Sequence, residues 1–360
     1  MESIITWVQS AILTPVPILD LSPIPGKRRG KLRLSPEQLL CVKHALALAE
    51  WALRLTQHLR RPRVPRRPGG RPLTYPDSSI LVMAVVQTAW RKSYAQMVAW
   101  GATNETVARA LGLTQRTLEG KLHTISKSQS WERRPALGVL PFLCCFLALA
   151  AQLIRLGAIT GKELIVASTL LRAWSKADPG AAWQQYAGKA HVFGDKVHTV
   201  LCRQATLPVV VLVTPANGHD PLLGWLIVLV AALGYGCRVL VVDADAAYVD
   251  RRLFWIGLDI LGAHAAVDYT LRRAGTRNLA DPFFVRQWWR LVIRPRSDSA
   301  RHFAWITRYF GLTDFQCFTF RRVCQLVLLS YLAGLAGALA AQRYDRPERV
   351  RSRAMVLAHV

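Results

Sequence analysis

Three short runs in this sequence hold side chains that could do chemistry. The run Gly194 to His198 contains an acid, a lysine and a histidine, and Asp245 follows a hydrophobic run. The third run, Thr214 to Asp220, joins two further hydrophobic runs. Lys196 and His198 could approach a phosphate group, which basic side chains bind by charge and hydrogen bonding. A single histidine on a strand is, however, more often packed or solvated than functional.

The run Thr214 to Asp220 also has a purely structural explanation. Asn217 and Gly218 are residue types that turns favour. Asp220 could accept hydrogen bonds from the first N–H groups of a following helix. A turn with a helix cap therefore accounts for this run without any site.

The elements that must position these runs form a mixed pattern of strands and helices. Three closely spaced β-rich runs are followed by an apolar helix, a fourth β-rich run and further helices. This order predicts an α/β (α+β) fold with a mixed sheet rather than an all-parallel one. No G-x-G-x-x-G follows a strand and no P-loop is present, so a nucleotide cofactor is not indicated. The predicted strands are 164–168, 196–202, 208–213 and 238–243, and the predicted helices 222–233, 251–261 and 299–309.

The N-terminal third is predicted to be helical, with two basic segments that lack regular structure. Residues 1–34 are punctuated by prolines and form a basic extended arm. Ser35 and Pro36 suit the start of a helix that ends near Leu59. Residues 60–75 form an Arg/Pro-rich linker, which serves either as a spacer or, through Arg66 and Arg67, as a DNA-contacting arm.

Four helical patterns follow the linker, in residues 77–90, 93–100, 105–111 and 115–125. The turn Gly112-Leu113-Thr114 joins the last two, and the final one carries Arg116 and Lys121. This arrangement predicts a helix-turn-helix over residues 105–125, in which the second helix would enter a DNA major groove. A compact helical bundle without DNA contacts would show the same pattern.

The net charge favours a polyanionic partner. Lys and Arg outnumber Asp and Glu by 47 to 22, which gives a formal charge of +25 and a pI near 10.7. The basic residues are distributed along the chain, so the charge belongs to the folded surface. Nucleic acid is the first candidate partner, and an anionic membrane surface the second.

Cysteine usage and hydropathy indicate a cytoplasmic protein. The seven cysteines are odd in number and lack C-x-x-C spacing, which argues against a disulfide framework and a zinc ribbon. The N-terminal region lacks the basic start of a secretory signal. Three apolar stretches, 137–153, 222–235 and 325–341, are short for membrane spans and are interpreted as buried core helices. A multi-pass membrane protein is the remote alternative.

Together the three runs resemble the transposase DDE domain of bacterial insertion sequences, of the insertion-sequence four/five type. Asp245-Ala246-Ala247-Tyr248 contributes to the likeness, and the C-terminal part extends it with Arg296, Arg301-His302-Phe303-Ala304-Trp305 and Arg308 to Leu312. The likeness covers residues from about Tyr75 onward. It implies an RNase H-like domain over residues 161–345, beside a helical DNA-binding domain over 76–160 and a basic tail over 346–360.

The resemblance also implies a metal-dependent reaction on DNA phosphodiesters. In this family three carboxylates hold two Mg²⁺ or Mn²⁺ ions, which support strand cleavage by hydrolysis and strand transfer by transesterification. The first acid is expected where this chain has Ala167, and the second matches Asp245, with Asp243 as the fallback. The third is expected where Ala300 stands, and Thr307 replaces a lysine.

A methyl group cannot ligate a metal, so the resemblance predicts a catalytically inactive chain in which metal binding at Asp245 is doubtful. Asp178 and Asp298 are the nearby acids that could substitute, but two positions along a helix turn a side chain by about 200 degrees, so Asp298 is expected to face away from Ala300's site. Deliberate inactivation would produce both alanines. Thr307 in addition favours natural decay or recruitment to a binding role.

The expected partner is double-stranded DNA, as transposon ends or target DNA, bound by a homodimer in the cytoplasm near the nucleoid and not at a membrane. A repressor-like or architectural DNA binder derived from such an enzyme is the alternative. Trp288, Trp289 and Trp305 belong either to the core or to a surface that stacks on an unpaired base. The candidate DNA-contacting residues are Lys196, His198, Arg296, Arg301, His302, Thr307, Arg308, Arg116, Lys121, Arg66 and Arg67.

Overall fold

The structure is a computed structural model that describes residues 36–59, 75–116, 122–186, 190–248, 259–267, 297–313, 316, 319–343 and 345–352. The N-terminal arm and the linker with Arg66 and Arg67 lie outside the described residues, as do Lys121, Arg296 and the pair Trp288-Trp289. The chain packs into two units. A sheet unit takes residues 150–308 and 313–323, and a helical unit takes 14–149, 309–312 and 324–360.

The helices before the sheet are α1 (Pro36–Leu55), α2 (Asp77–Ala89), α3 (Tyr94–Thr103), α4 (Glu105–Ala110), α5 (Lys127–Ala136) and α6 (Leu140–Arg155). The first four form where the sequence predicts them and α6 covers the first apolar stretch, whereas the sequence does not predict α5. Ser93 begins α3 with a capping box, in which its Oγ accepts from the Gln96 N–H at 3.2 Å and its N–H donates to Gln96 Oε1 at 2.8 Å. Arg133 and Asp77 form a salt bridge of 2.6 Å between α5 and α2.

The predicted recognition helix over residues 115–125 is wrong. The chain instead forms a two-stranded antiparallel ribbon of β1 (Thr114–Arg116) and β2 (Leu122–Thr124), with Thr114 opposite Thr124. Gly112 ends α4 at φ +67°, and the N–H of Leu113 bonds back to the carbonyl of Ala108 at 2.8 Å, a Schellman ending. The β-branched threonines then favour a strand over a second helix.

Among the described residues, the larger sheet is mixed and has six strands: β3 (Glu163–Arg172), β4 (Ala182–Tyr186), β5 (Ala190–Cys202), β6 (Leu207–Pro215), β7 (Val241–Ala244) and β8 (His264–Val267). Its central order is β4-β5-β3-β7-β8, and β6 pairs with the part of β5 that β4 leaves free. β5 runs antiparallel to β3, β4 and β6, whereas β3, β7 and β8 are parallel. The predicted α+β class, with a mixed sheet and flanking helices, is therefore confirmed.

Helix α7 (Asp220–Leu229) connects β6 to β7 and lies against the sheet. It continues into a single π-helical turn, Val230–Gly234. Gly224 permits the close approach, because a Cβ built there would stand 2.4 Å from the ring of Tyr248 and 3.4 Å from Val166. α8 (Ser297–Phe310) and α9 (Phe320–Arg343) complete the described helices.

Of the three apolar stretches, one lies in a helix of membrane-spanning length. α9 is long and apolar enough to cross a bilayer, and 94% of its apolar window is buried inside the protein. The bent pair α5 and α6 would pass the same test only as one broken span, with an angle of 80° between its parts. Since the core helix of a globular protein has the same length and composition, the burial of α9 agrees with its interpretation as a core helix.

Candidate functional site

Ala167 lies on β3, and Asp245 directly follows the neighbouring parallel strand β7. β3 and β7 pair in register up to Val166 opposite Ala244, and Ala167 and Asp245 are the residues that follow this pair. Ala167 is buried, with 6% of its surface exposed, whereas Asp245 is half-buried. The Asp245 carboxylate accepts from the Ala247 N–H at 2.8 Å and so begins the short 3-10 turn Ala246–Tyr248.

Lys196 is paired inside the protein rather than presented to solvent. Its Nζ donates to both carboxylate oxygens of Asp220, at 3.1 and 3.0 Å, and to the carbonyl of Gly218 at 3.3 Å. The lysine is 4% exposed. Asp220 was expected to cap α7, but His219 takes that position, with its Nδ1 accepting from the Leu222 N–H at 3.4 Å. The Asp220 carboxylate is thus ion-paired with the buried ammonium group of Lys196.

His198 lies beside this ion pair in a directional chain of hydrogen bonds. The Thr214 hydroxyl donates to the carbonyl of Pro215 at 3.0 Å, so it accepts from His198 Nε2 at 3.1 Å. His198 Nδ1 is then unprotonated and accepts from the Tyr248 hydroxyl at 3.2 Å. This order of donors fixes the tautomer of a neutral imidazole.

Burial determines the protonation states in this cluster. Desolvation lowers the pKa of His198 to about 4, more strongly than the nearby Asp220 carboxylate raises it. Burial also raises the pKa of the Tyr248 phenol, opposed by a hydrogen bond with Ser168. His198 and Tyr248 are therefore neutral hydrogen-bonding groups near neutral pH, and the charges of the cluster are those of Lys196 and Asp220.

The polar cluster and Ala167 belong to opposite faces of the sheet. Ser168 is paired with His198 across β3 and β5, and Ala167 is paired with Thr199. Because successive residues of a strand point to opposite faces, Lys196 and His198 share the face that α7 covers, and Ala167 lies on the other. The predicted direct contact of Lys196 and His198 with DNA is therefore not supported. Both are buried, and their hydrogen-bond partners are Asp220, Thr214 and Tyr248.

A buried aspartate, Asp195, lies on the same face of the sheet as Ala167, and a second buried acid, Asp178, is close enough to affect its pKa. Asp195 is paired with Leu171 across β5 and β3, is 1% exposed, and its Oδ1 has no hydrogen-bond partner among the described residues. Burial, and secondarily the charge of Asp178, raises the pKa of Asp195 to about 7. Asp178 accepts from the N–H groups of Gly180 and Thr319, both at 2.9 Å, and so anchors the start of α9.

Helix α8 carries the remaining predicted residues on two faces. His302 is fully buried, and its Nδ1 lies 3.1 Å from the carbonyl of Thr206, in the turn between β5 and β6. Asp298, two positions from Ala300, is also buried and is ion-paired with Arg301. Ala300 itself is exposed. Asp298 therefore lies on the side of α8 that is buried with His302, as its rotation relative to Ala300 predicts.

The predicted DNA-contacting residues thus fall into separate classes. Arg301 and Arg308 are exposed on α8, and Thr307 is half-buried. His302 is inaccessible to a DNA phosphate. Arg116 lies on the β1–β2 ribbon rather than on a helix. The sequence did not identify the roles of Thr214 and Ser168, and the only signal for Tyr248 was its fixed spacing after Asp245.

The residues near Asp245 do not fit a pair of metal ions. Within the described residues, no group of three His, Cys, Asp or Glu side chains is placed to hold a metal ion. Ala167 contributes a methyl group next to Asp245, and Asp220 is neutralised by Lys196. Carboxylate oxygens are what Mg²⁺ requires. Asp245 could therefore be at most one ligand.

Comparison with known proteins gives distant structural similarity only. No family model matches the chain, and neither does any curated protein. A piggyBac transposase synaptic complex with hairpin DNA is similar at a TM-score of 0.47 and 11% identity, over 89% of this chain and 78% of that chain. A Mos1 transposase paired-end complex with the left transposon end has a TM-score of 0.20 and 13% identity, over 88% of this chain and 97% of that chain.

Proposed function

We propose that this chain is a DNA-binding protein of the DDE transposase type that has lost metal-dependent strand cleavage. The observation that carries the proposal is that Ala167 and Asp245 directly follow Val166 and Ala244, the last residues paired between the two central parallel strands β3 and β7. In the family that the sequence resembles, both positions are acids. A carboxylate beside a methyl group cannot hold two metal ions at a phosphodiester.

The chemistry left to this chain is binding. Its net charge of +25 favours DNA, and α8 presents the exposed cations Arg301 and Arg308. Transposon ends or target DNA, bound by a homodimer in the cytoplasm, are the proposed context. The buried cluster of Lys196, Asp220 and His198 supports the packing of α7 on the sheet rather than the reaction.

The proposal predicts that the unmodified chain binds duplex DNA but neither nicks nor joins it with Mg²⁺ or Mn²⁺. The double variant Ala167→Asp/Ala300→Glu should recover metal-dependent nicking, because Ala300 is exposed and accepts a longer side chain while Asp245 supplies the third acid. Single restorations should stay inactive, because an incomplete cluster cannot hold both ions. Gel electrophoresis of end-labelled duplex measures the nicking activity of each variant.

The thermal unfolding midpoint gives a second readout that does not depend on activity. An aspartate at position 167 would stand beside Asp245 in a nearly buried position, and this like-charge pair should lower the midpoint until a divalent cation neutralises it. The matched variant Ala167→Asn/Ala300→Gln keeps the shapes and should show no metal-dependent recovery. Cleavage by the unmodified chain that Asp245→Ala abolishes would overturn the proposal, as would failure to bind DNA.

A further inference from the structure

The outer side of α7 and of the π-helical turn that continues it is apolar, although it faces solvent. Leu222, Leu226 and Leu233 are 50%, 45% and 48% exposed. Leu229, which lies between the last two of these in the sequence, is half-buried. The opposite side of the helix, which includes Gly224, is buried and packs against the sheet. The helix is therefore apolar on both its buried and its exposed side.

Such a helix is unusual on the surface of a single chain. A helix that covers a sheet normally turns polar side chains to water, and a helix that is hydrophobic on all sides is normally buried. The stretch from Pro221 to Cys237 contains no charged, hydroxyl or amide side chain and no histidine. Because the described residues leave three of its leucines about half exposed, this side of α7 is expected to be covered by a partner.

The spacing of the leucines suits contact with an identical helix. Leu222, Leu226, Leu229 and Leu233 follow each other at intervals of four, three and four residues, the alternation that lines one side of a helix. The intervals have the same order in both directions, so an identical helix that runs the opposite way presents a matching row. Contact between two identical surfaces requires this self-complementarity.

Charge indicates that the partner is a second copy of this chain. Each copy carries a net charge of +25, so two copies repel each other electrostatically. On the uncharged side of α7, however, leucine can pack on leucine without bringing cations together. Exposed polar side chains lie just before and just after it, at His219 and Arg238. An uncharged apolar centre with a polar rim is the composition of a protein–protein interface, whereas leucine offers no donor to a DNA phosphate.

We propose that two copies of this chain associate through the leucine face of α7, formed by Leu222, Leu226, Leu229 and Leu233. This inference rests on the homodimer of the proposed function and adds the surface that joins its two copies. Each copy contributes the same leucines, so every substitution in this face changes the interface twice. Association through this face requires no DNA.

Sedimentation equilibrium of the full chain without DNA measures this association. The unmodified chain should form a dimer, and Leu222→Gln/Leu226→Gln should raise its dissociation constant by about tenfold or more, because four leucines leave the interface. Glutamine keeps the charge and has a high helix propensity, so the change reports packing. An unmodified chain that stays monomeric up to its solubility limit would overturn the inference.

The matched control replaces two leucines outside α7 that are at least as exposed. Leu59 and Leu156 are 62% and 52% exposed, and Leu59→Gln/Leu156→Gln should leave the dissociation constant unchanged. Circular dichroism and the unfolding midpoint of each variant test its folding. If the α7 double variant does not fold, Leu233→Gln tests the same face at its other end. A dimer that no α7 variant weakens, or that the control weakens equally, would overturn the inference.

Salt dependence separates direct contact between copies from bridging by nucleic acid. Added salt screens the repulsion between two cationic chains, so the dimer should become tighter or stay the same. A pair of copies bridged by DNA should instead separate as salt is added. Steep weakening of the dimer by salt would therefore overturn the inference.

Two further measurements assign a failure to the correct proposal. A monomeric chain that binds duplex DNA would overturn this inference alone, whereas a dimer that binds no DNA would overturn the proposed DNA-binding function alone. Vesicles of phosphatidylcholine and phosphatidylglycerol test the other apolar partner. Binding of a monomeric chain to them that Leu222→Gln/Leu226→Gln abolishes would assign the face to a membrane surface and overturn the inference.

Discussion

At the scale of single residues, the sheet tolerates ionisable groups by neutralising or pairing them. Lys196 is compensated by Asp220, and His198 is neutral in its chain of hydrogen bonds. Asp195 is the exception, because within the part of the chain that the structure describes its buried Oδ1 has no hydrogen bond, and its pKa is raised to about 7. An aspartate of an unfolded chain titrates near about 3.9, so folding and protonation of Asp195 are linked.

This linkage gives a prediction with a definite sign. Between about pH 4 and pH 7 the folded protein keeps the Asp195 proton that the unfolded chain has lost, so its stability falls as the pH rises through this window. Asp195→Asn removes the titration and should therefore gain stability over the unmodified chain by about 1 to 2 kcal/mol from pH 5 to pH 7.5. Urea unfolding across this pH range measures the difference.

Glu163→Gln is the control for that measurement, because Glu163 is an exposed acid on the neighbouring strand β3. Its stability difference from the unmodified chain should stay nearly constant over the same range. A constant difference for Asp195→Asn as well would contradict the raised pKa and the buried state of its carboxyl group.

Sequence reasoning at this scale found residue types more reliably than their roles. Lys196, His198 and Asp245 were singled out by their chemistry, and Ala167 and Asp245 directly follow the last residues paired between β3 and β7, Val166 and Ala244. The burial of Lys196 and His198 could not be predicted, because it depends on α7 covering their face and on Asp220 reaching across to the lysine. Local sequence does not specify such tertiary pairing.

At the scale of elements, α7 depends on one glycine. Gly224 lies inside the helix, where alanine would raise helix propensity by about 1 kcal/mol. A Cβ there would, however, stand 2.4 and 2.6 Å from two ring atoms of the fully buried Tyr248. Overpacking of a filled core costs about 1 to 3 kcal/mol, so the steric effect outweighs the propensity.

We therefore expect Gly224→Ala to lower the free energy of unfolding by up to about 2 kcal/mol and to disturb the Tyr248–His198 hydrogen bond. Gly101→Ala in α3 is the matched substitution, since its Cβ would meet only Ala108, at an ordinary 3.9 Å. That variant should be neutral or more stable. Denaturant titration measures the free energy of unfolding of both variants. A gain in stability for Gly224→Ala equal to that for Gly101→Ala would show that α7 has room for a methyl group.

Elements with strong local signals were predictable, and those set by pairing were not. The starts of α2, α3 and α4, and strands β3, β5, β6 and β7, appear where periodicity and capping residues indicate them. β4 and β8 were missed, because their short sequences form strands only by pairing with β5 and β7. The ribbon at β1–β2 replaced the predicted helix for the same reason, since Thr114 and Thr124 pair across it.

At the scale of the whole molecule, the positive charge should govern binding to duplex DNA. With a net charge of +25, we expect several phosphate contacts, each adding about −0.9 to the slope of log affinity against log salt. Arg308→Gln should reduce the slope by about one such contact, because Arg308 is exposed on α8. His302→Gln should leave it unchanged, since His302 is fully buried. Fluorescence anisotropy in a salt series measures the slope, and a value near zero would contradict a polyanionic partner.

The helical unit is assembled from segments far apart in the sequence, and this matters for folding during synthesis. Helices α1 to α5 of the helical unit are synthesised early, whereas α9 is synthesised last. Gln325 of α9 donates a hydrogen bond of 2.6 Å to the carbonyl of Gly138, and Tyr331 packs on Phe146 at 6.3 Å between ring centroids. At about 5 to 20 residues per second, a ribosome reaches α9 roughly 10 to 35 seconds after leaving Leu149. During that interval the nascent helical unit exposes the apolar surface that α9 later covers. We therefore expect a fragment that stops before α9 to expose this apolar surface and to aggregate, rather than to fold as an independent helical domain.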